Sequence, residues 1–181
     1  MKQVLVPLAE GFEEIEAVTI IDTLRRGGIQ VTVAALDTLT VTGSHAIVVQ
    51  ADALLTDVHQ RHFDAVVLPG GIPGAIHLKE SAHVIDLVRR MNRNQQWVCA
   101  ICAAPTVLEE AGVSKGRRAT SHPSFQNQMT SARYQEDPVV VDGNVITSRG
   151  PGTALSFSLE VVRQLTNESV SSELAAAMLH R

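Results

Sequence analysis

The residues best suited to chemistry are a cysteine and its small neighbours, at the end of an apolar run over residues 97–102. Cys102 ends this run, and Ala103, Ala104 and Pro105 follow it. Because Pro is favoured in the first turn of a helix, the pattern predicts a strand, a sharp turn at Cys102 and then a helix. This is the arrangement of a nucleophile elbow, with sulfur in place of oxygen. A thiol there faces unpaired N–H groups and the positive end of the helix dipole, which both favour the thiolate.

The two cysteines also have a purely structural interpretation. Free cysteine is among the most buried residue types, so Cys102 could instead be a small core residue. Cys99 lies inside the apolar run and is predicted to belong to the core. The pair has the C-x-x-C spacing of redox motifs, but residues three apart on a strand point to opposite faces. A disulfide between Cys99 and Cys102 is therefore not expected.

Length and composition narrow the class of protein. A length of 181 residues suits one domain, so residues 1–181 are predicted to form a single domain. Its core should be aliphatic, since aromatic residues make up only 3% of the chain. A net charge of -4 argues against a nucleic-acid-binding surface, and no stretch has the pattern of a signal peptide or a membrane span. Two cysteines are too few for a disulfide framework, which favours the reducing cytoplasm.

Strand and helix patterns alternate along the chain. Apolar strands are predicted at residues 3–8, 29–34, 63–68 and 97–101, and helices at 13–26, 81–94, 105–111, 153–165 and 168–179. Hairpins are predicted at residues 38–50 and 139–148, around Gly-Ser and Asp-Gly-Asn turns. In the first helix, Ile15, Val18, Ile21 and Leu24 are predicted to form the apolar face. These patterns indicate an α/β fold with a mainly parallel sheet between layers of helices.

Several loops that carry polar residues or glycines follow the predicted strands. They are the acidic residues 10–16, the pair Gly70-Gly71, the turn at Cys102, the pair Arg149-Gly150 and, as a fifth candidate, the loop with His122. In parallel α/β sheets ligands bind beyond the carboxyl ends of the strands, so these loops are predicted to converge on one site. That site would combine a thiol, carboxylates, glycine N–H groups and an imidazole.

Four segments of these loops form a distinctive set. They are GFEEIE at residues 11–16, LPGG at 68–71, AICAAP at 100–105 and TSRGPGT at 147–153. In this order and spacing the set resembles the ThiJ/PfpI superfamily, in its DJ-1/YajL-like branch. The resemblance implies a flavodoxin-like fold and a homodimer.

The resemblance also implies roles for individual residues. Cys102 is implied as the elbow nucleophile and Glu16 as the acid that touches its sulfur, with His122 nearby. An anion pocket built from backbone N–H groups is implied at Gly70, Gly71 and Ala103. These residues are therefore the candidate catalytic and substrate-binding set.

Each candidate also has a structural alternative. Glu16 could be a solvated helix acid, as most glutamates are. Gly70 and Gly71 could simply make a tight turn, and His122 could be a loop histidine rather than a general base. Arg149 could bind an anion or form an ordinary ion pair.

Two positions depart from the patterns of the superfamily. Protease-like members carry His directly after the cysteine, where this chain has Ala103, so a protease triad of that pattern is absent. The DJ-1-like branch usually has Arg in the first hairpin turn, where this chain has His45. No cofactor is predicted, and no metal either, because the histidines lack metal-ligand spacing.

The resemblance implies chemistry on α-oxoaldehydes. A Cys102 thiolate would attack methylglyoxal, glyoxal or their adducts to give a hemithioacetal, with Glu16 as acid and base. The chain would then be a glutathione-independent glyoxalase or a deglycase of protein or nucleotides. The main alternative is an oxidative-stress sensor or redox-regulated chaperone in which Cys102 is oxidised to a sulfinate. A cysteine peptidase or amidase is a third class, which Ala103 disfavours.

Overall fold

A seven-stranded sheet with helices on both faces forms the centre of the computed structural model, which describes residues 1–180. The strands are β1 (Gln3–Leu8), β2 (Gln30–Ala35), β3 (Thr40–Thr42), β4 (Val48–Gln50), β5 (Ala53–Leu54), β6 (Ala65–Leu68), β7 (Trp97–Ile101), β8 (Arg118–Ala119), β9 (Arg133–Tyr134), β10 (Val139–Asp142) and β11 (Val145–Ser148). The helices are α1 (Glu14–Arg26), α2 (Leu55–Val58), α3 (Gly74–Glu80), α4 (Ala82–Arg93), α5 (Pro105–Glu110), α6 (Ala154–Leu165) and α7 (Glu168–Ala177). Two short 3₁₀ turns cover Pro123–Gln128 and Pro151–Thr153.

The main sheet has the strand order β10-β11-β7-β6-β1-β2-β5. Its neighbouring strands are parallel except β10 and β11, which form an antiparallel hairpin. Strands β3 and β4 form a second antiparallel hairpin, and β8 pairs with β9 in parallel. The predicted α/β fold with a mainly parallel sheet is therefore confirmed, together with both predicted hairpins.

Alternate residues of the sheet face two separate cores. On one face Val4 and Val6 of β1 pack in a cluster with Ile20 of α1 and Phe157 of α6. On the other face Leu5 belongs to a cluster built with α3, α4 and α5. Full burial of one such aliphatic side chain stabilises the fold by about 1.5–3 kcal/mol. The two cores hold the parallel strands in place, so the loops at their carboxyl ends are held together at one edge.

The apolar face of α1 differs from the prediction. Ile15 and Val18 are 59% and 49% exposed, whereas α1 buries Ala17, Ile20 and Leu24. Of the face predicted from periodicity, Leu24 is buried, while Ile15 and Val18 were placed on the wrong side. Glu14 and Glu16, in the first turn of α1, are both buried. With the helix oriented in this way, the side chains of Ile15 and Val18 point outward.

Several short elements were not predicted from the sequence, among them α3, strands β5 and β9 and the 3₁₀ turn Pro123–Gln128. Helix α3 begins at Gly74, directly after a Gly/Pro-rich loop, and such residues normally indicate a turn rather than a helix. Within residues 1–180, every helix is too short or too polar to cross a lipid bilayer.

Candidate active site

The thiol of Cys102 lies in a sharp turn between β7 and α5. Cys102 has a φ of 65°, in the left-handed region that a residue with a side chain rarely adopts. Two hydrogen bonds hold this conformation: the Cys102 N–H donates to Ser148 O (3.0 Å), and the His122 N–H donates to Cys102 O (2.8 Å). The strand–Cys–helix elbow predicted from the sequence is therefore present, and neighbouring loops fix its backbone.

Glu16 is buried beside this turn and is not a solvated helix acid. Its side chain is inaccessible to solvent, and its Oε2 accepts a hydrogen bond from the Gly70 N–H (2.8 Å). Its Oε1 is also buried and has no hydrogen-bond partner of normal geometry. A Cβ on Gly70 would lie 2.7 Å from Cys102 Cβ and 2.9 Å from Glu16 Oε2. The thiol and the carboxyl group therefore share one small pocket, which only a glycine at position 70 leaves open.

The ionisation of the two groups is coupled. Burial raises the pKa of Glu16 to about 7, although hydrogen bonds from the Gly70 N–H and Cys102 oppose the shift. Burial is the largest cause that raises the pKa of Cys102, to about 12, and the charge and hydrogen bonding of Glu16 add to it. Hydrogen bonds from the N–H groups of Ala103 and Gly71 act in the opposite direction. The thiol becomes a thiolate readily only when Glu16 holds the proton of the pair.

The start of the helix favours the thiolate through the Ala103 N–H, but burial and Glu16 outweigh this contribution. Helix α5 has only six residues, and the N–H groups of Ala104, Thr106 and Val107 bond to carbonyls within the turn. Pro105 has no N–H to offer. This leaves the Ala103 N–H as the donor that α5 and its turn direct at the sulfur.

The glycine loop after β6 serves both as a turn and as a source of donors. Gly71 has a φ of 95°, and a Cβ there would collide with the Glu13 nitrogen. The Glu13 N–H donates to Gly70 O (2.9 Å), which packs the loop against the start of α1. Hydrogen bonding from the N–H groups of Gly71 and Ala103, which lie near the sulfur, lowers the pKa of Cys102, whereas the Gly70 N–H donates to Glu16 instead.

His122 is close to the elbow through its backbone, while its ring is partly committed elsewhere. The half-buried ring accepts a hydrogen bond from the Ser124 N–H at Nδ1 (3.3 Å), as the cap of a 3₁₀ turn. A neutral ring bonded in this way carries its proton on Nε2, which makes it a donor. Arg149 donates from Nη1 to Glu136 O (2.8 Å), a contact with a neighbouring loop.

Cys99 belongs to the core, as predicted. It is fully buried on β7, within the cluster that includes α1 and α6, and burial raises its pKa. Cys99 and Cys102 are both free thiols in the structure.

Sequence reasoning missed a buried carboxylate beside the site. Glu14 is only 4% exposed and accepts hydrogen bonds from the His45 ring at Nδ1 (2.9 Å), Ser44 Oγ (3.2 Å) and the Ile47 N–H (3.4 Å). Burial alone would raise the pKa of Glu14, but hydrogen bonds from the His45 side chain and backbone lower it to about 2. Glu14 thus fastens the β3–β4 hairpin to α1.

One group of possible metal ligands stands out among the described residues. Oxygen or nitrogen atoms of Glu13, Glu14 and His45 lie within 4.8 Å of one another. The carboxylate of Glu14 is occupied by the hairpin, and Glu13 Oε2 accepts from the Glu16 N–H (2.7 Å). These hydrogen bonds account for the cluster as a structural junction.

The fold and the site together define a class: an α/β protein with a thiol at a strand–helix elbow, a buried acid beside it and a glycine loop above it. The family model for the DJ-1/PfpI family matches residues 2–164. The chain belongs to this family.

Individual relatives agree with this assignment. The crystal structure of Drosophila melanogaster DJ-1beta superposes with a TM-score of 0.97 at 43% identity, covering 99% of this chain and 98% of that one. Oxidized Toxoplasma gondii DJ-1 gives a TM-score of 0.95 at 37% identity, with 99% of both chains covered. The Caenorhabditis elegans protein "Glutathione-independent glyoxalase DJR-1.2" is 36% identical over 167 residues, covering 91% of this chain and 89% of that protein.

Some relatives are much longer than this chain. It is 40% identical to the Arabidopsis thaliana proteins named DJ-1 homolog A and DJ-1 homolog B, over 99% and 98% of its own length. The chain spans 47% and 41% of these two proteins.

Proposed function

We propose that this protein is a glutathione-independent glyoxalase that converts methylglyoxal to lactate with Cys102 as nucleophile and Glu16 as acid and base. The observation that carries the proposal is the shared pocket, in which a half-buried thiol lies beside a buried carboxyl group whose pKa is about 7. A group with this pKa both gives and takes protons at neutral pH. The name of the C. elegans relative supports the same activity.

Both cysteines are free thiols, which suits a reducing compartment such as the cytoplasm.

The first step forms a carbon–sulfur bond. The proton of the pair moves to Glu16, and the Cys102 sulfur attacks the aldehyde carbon, so that the C=O electron pair moves to oxygen. The resulting oxyanion accepts hydrogen bonds from the N–H groups of Gly71 and Ala103 and takes the proton from Glu16. One such oxyanion donor contributes about a hundred- to a thousandfold in rate. The product is a neutral hemithioacetal.

The second step moves hydrogen between the two carbons. The Glu16 carboxylate removes the proton from the former aldehyde carbon, the electron pair forms a C=C bond, and the ketone oxygen takes a proton to give an enediol. Return of a proton to the second carbon, with loss of one from the first hydroxyl group, gives a thioester of Cys102. Water hydrolyses the thioester, releasing lactate and the thiol. We place His122 beside this reaction as a donor from Nε2, because its Nδ1 is bonded to Ser124.

The test is lactate formation from methylglyoxal without glutathione. Cys102→Ser and Glu16→Gln should each lower kcat by at least about a hundredfold, the usual contribution of acid–base catalysis. Glu110→Gln, which changes an exposed acid on α5, is the matched control and should leave the rate unchanged. Equal rates in all four proteins would remove Cys102 and Glu16 from these roles.

The same attack on a glycated amine would make the protein a deglycase. The two substrates are separated by comparing free methylglyoxal with preformed adducts of N-acetyl-lysine or guanosine at equal concentrations of free aldehyde. Faster lactate formation from the adduct supports deglycation. Equal rates assign the activity to the free aldehyde.

A second candidate function is sensing of oxidative stress, including redox-regulated chaperone activity. It is supported by the oxidized state named for the T. gondii relative and by the N–H donors of Gly71 and Ala103, which suit an anionic sulfinate. Hydrogen peroxide would oxidise the thiolate to a sulfenate and then to a sulfinate, and Glu16 would donate its proton to an oxygen. Lactate formation by the reduced protein supports the enzyme, whereas client protection that appears only after peroxide treatment supports the sensor.

We also propose a homodimer formed through the exposed apolar surface of α1 and the β3–β4 hairpin. Ile15, Val18, Ile47 and Val48 are large apolar residues that are about half exposed or more. The hydrogen bond from the Ile47 N–H to Glu14 brings the hairpin to the start of α1, so the two parts of this surface adjoin. Exposed apolar surface of this kind is typical of interfaces. Val18→Asp should yield a monomer by light scattering, and Ile76→Asp on α3 should not; a dimer in both would contradict this interface.

A further inference from the structure

An apolar groove lies beside the Cys102 turn, between α3 and the 3₁₀ turn Pro123–Gln128. It has a volume of about 210 Å³, and its apolar walls are Ile72, Ala75, Ile76, Ala103 and Phe125. The side chains of Ile72 and Ile76 are large and apolar, yet they are 46% and 43% exposed. Ligand sites are typically concave and lined by apolar and aromatic side chains in this way.

The groove adjoins the turn that carries the thiol, although Cys102 itself does not line it. Ala103 lines the groove, and its N–H is one of the two donors that face the Cys102 sulfur. Ile72 also lines the groove, and it directly follows Gly71, which supplies the other donor. Ala103 and Ile72 therefore mark the end of the groove nearest the sulfur, which is its inner end.

The polar residues of the groove leave this inner end apolar. The hydroxyl of Thr106 donates to Ala103 O (2.7 Å) and is not free for a ligand. The other polar lining residues, Lys79, Glu80 and Gln128, are half-buried or exposed, as in the polar rim of a binding site. The groove thus suits an apolar group that is attached to a polar reacting centre.

We propose that this groove binds the aryl or branched alkyl substituent of an α-oxoaldehyde while Cys102 attacks its aldehyde carbon, an inference that rests on the proposed function. A cavity of about 150 Å³ lined by apolar side chains is large enough to bind benzene. The groove therefore has room for a phenyl ring, whereas the methyl group of methylglyoxal fills a small part of it. The substrate class is then α-oxoaldehydes with a larger apolar substituent, represented by phenylglyoxal.

The first test compares kcat/KM for phenylglyoxal and methylglyoxal. Ile76→Ala should lower the ratio of phenylglyoxal to methylglyoxal about tenfold, because a missing methylene in an apolar pocket commonly costs tenfold or more. Leu39→Ala is the matched control, since Leu39 is also an exposed apolar residue (41%) and does not line the groove. A ratio that changes less than twofold in Ile76→Ala, or equally in both variants, would overturn the groove as a substrate site.

The second test does not require turnover. Phenacyl bromide and bromoacetone alkylate a thiol by displacing bromide, and modification of Cys102 is followed by mass spectrometry, with Cys102→Ser as the blank. After correction for their reactivity toward free cysteine, phenacyl bromide should react faster with the wild type, and Ile76→Ala should lose this preference.

The alkylation test separates the two proposals. No preference for the phenyl reagent, or no modification of Cys102 by either reagent, overturns the groove. A preserved preference in a protein that turns over neither aldehyde overturns the proposed glyoxalase activity and still supports an aryl-binding groove beside Cys102.

Discussion

Gly70 lies where the thiol, the carboxyl group and the elbow backbone approach one another most closely. A Cβ at this position would be 2.7 Å from Cys102 Cβ, 2.9 Å from Glu16 Oε2 and 3.0 Å from the Ala103 nitrogen. Ordinary contacts of a Cβ begin at 3.4 Å. In Gly70→Ala, therefore, the loop must move or Cys102 and Glu16 must separate.

The size of the effect follows from these distances. Relief of the shortest contacts requires movement on the order of 1 Å, and a misplacement of 1 Å can lower a catalytic rate about a hundredfold. Overpacking of a close-packed site costs about 1–3 kcal/mol of stability. In a domain of this size each kcal/mol lowers Tm by about 2–4 °C, so a fall of about 2–12 °C is expected.

Gly152→Ala is the matched control for this substitution. Gly152 lies in the 3₁₀ turn Pro151–Thr153, where a Cβ would meet no atom within 4 Å. Lactate formation and thermal unfolding are measured for both variants, together with alkylation of Cys102. Gly70→Ala should lose about a hundredfold in kcat/KM, and Gly152→Ala should match the wild type. A folded Gly70→Ala protein that keeps its rate within threefold would contradict a pocket as tight as these distances describe.

Three further predictions concern stability. Because burial raises the pKa of Glu16 from 4.5 to about 7 in the folded state, its contribution is full below pH 4.5 and is lost as the pH rises through 7. In urea unfolding, the free energy of unfolding should therefore fall between pH 5 and pH 8, and the fall for the wild type should exceed that for Glu16→Gln by roughly 2 kcal/mol. Glu14, whose pKa is lowered to about 2, affects stability in the opposite direction: its contribution is present above pH 4.5 and is lost as the pH falls through 2. When the unfolding free energy is measured from pH 5 to pH 2, Glu14→Gln should therefore lose less stability than the wild type. Measured in the Val18→Asp background, which removes the proposed dimer, Ile20→Ala should lower the unfolding free energy by about 2–5 kcal/mol and Ile15→Ala by about 0.5 kcal/mol or less; the reverse order in urea melts would place Ile15 in the core.

The parts of the site that the sequence predicts are those encoded by adjacent residues. The elbow follows from an apolar run, small residues and Pro105, which together specify a strand, a turn and a helix within residues 97–110. The glycine loop is likewise visible as Gly70 and Gly71 at the end of an apolar strand. Convergence of these loops follows from the parallel sheet, since parallel strands carry their carboxyl ends to one edge.

Contacts between distant segments account for what the sequence did not predict. Glu16 is an acid in the first turn of a helix, and only the resemblance to a family placed it beside Cys102. Its hydrogen bond with the Gly70 N–H joins residues 54 apart in the sequence, which no local pattern indicates. Glu14 is buried because the β3–β4 hairpin folds onto it, and no local pattern indicates that contact. The same inward turn of both glutamates leaves Ile15 exposed, so hydrophobic periodicity misplaced Ile15 and Val18, whereas Leu24 is buried as predicted.

The ionisation of Cys102 illustrates why local reasoning fails for reactivity. A helix start near a thiol favours the thiolate only if its N–H groups are unpaired, and here the turn itself uses those of Ala104 and Thr106. Burial and the carboxylate of Glu16 then dominate, and both raise the pKa of the thiol. A proton that passes from Cys102 to Glu16 removes this repulsion and creates the nucleophile in the same event. The reactive form is therefore a property of the pair, and the fold controls it through the narrow space that Gly70 leaves between the two side chains.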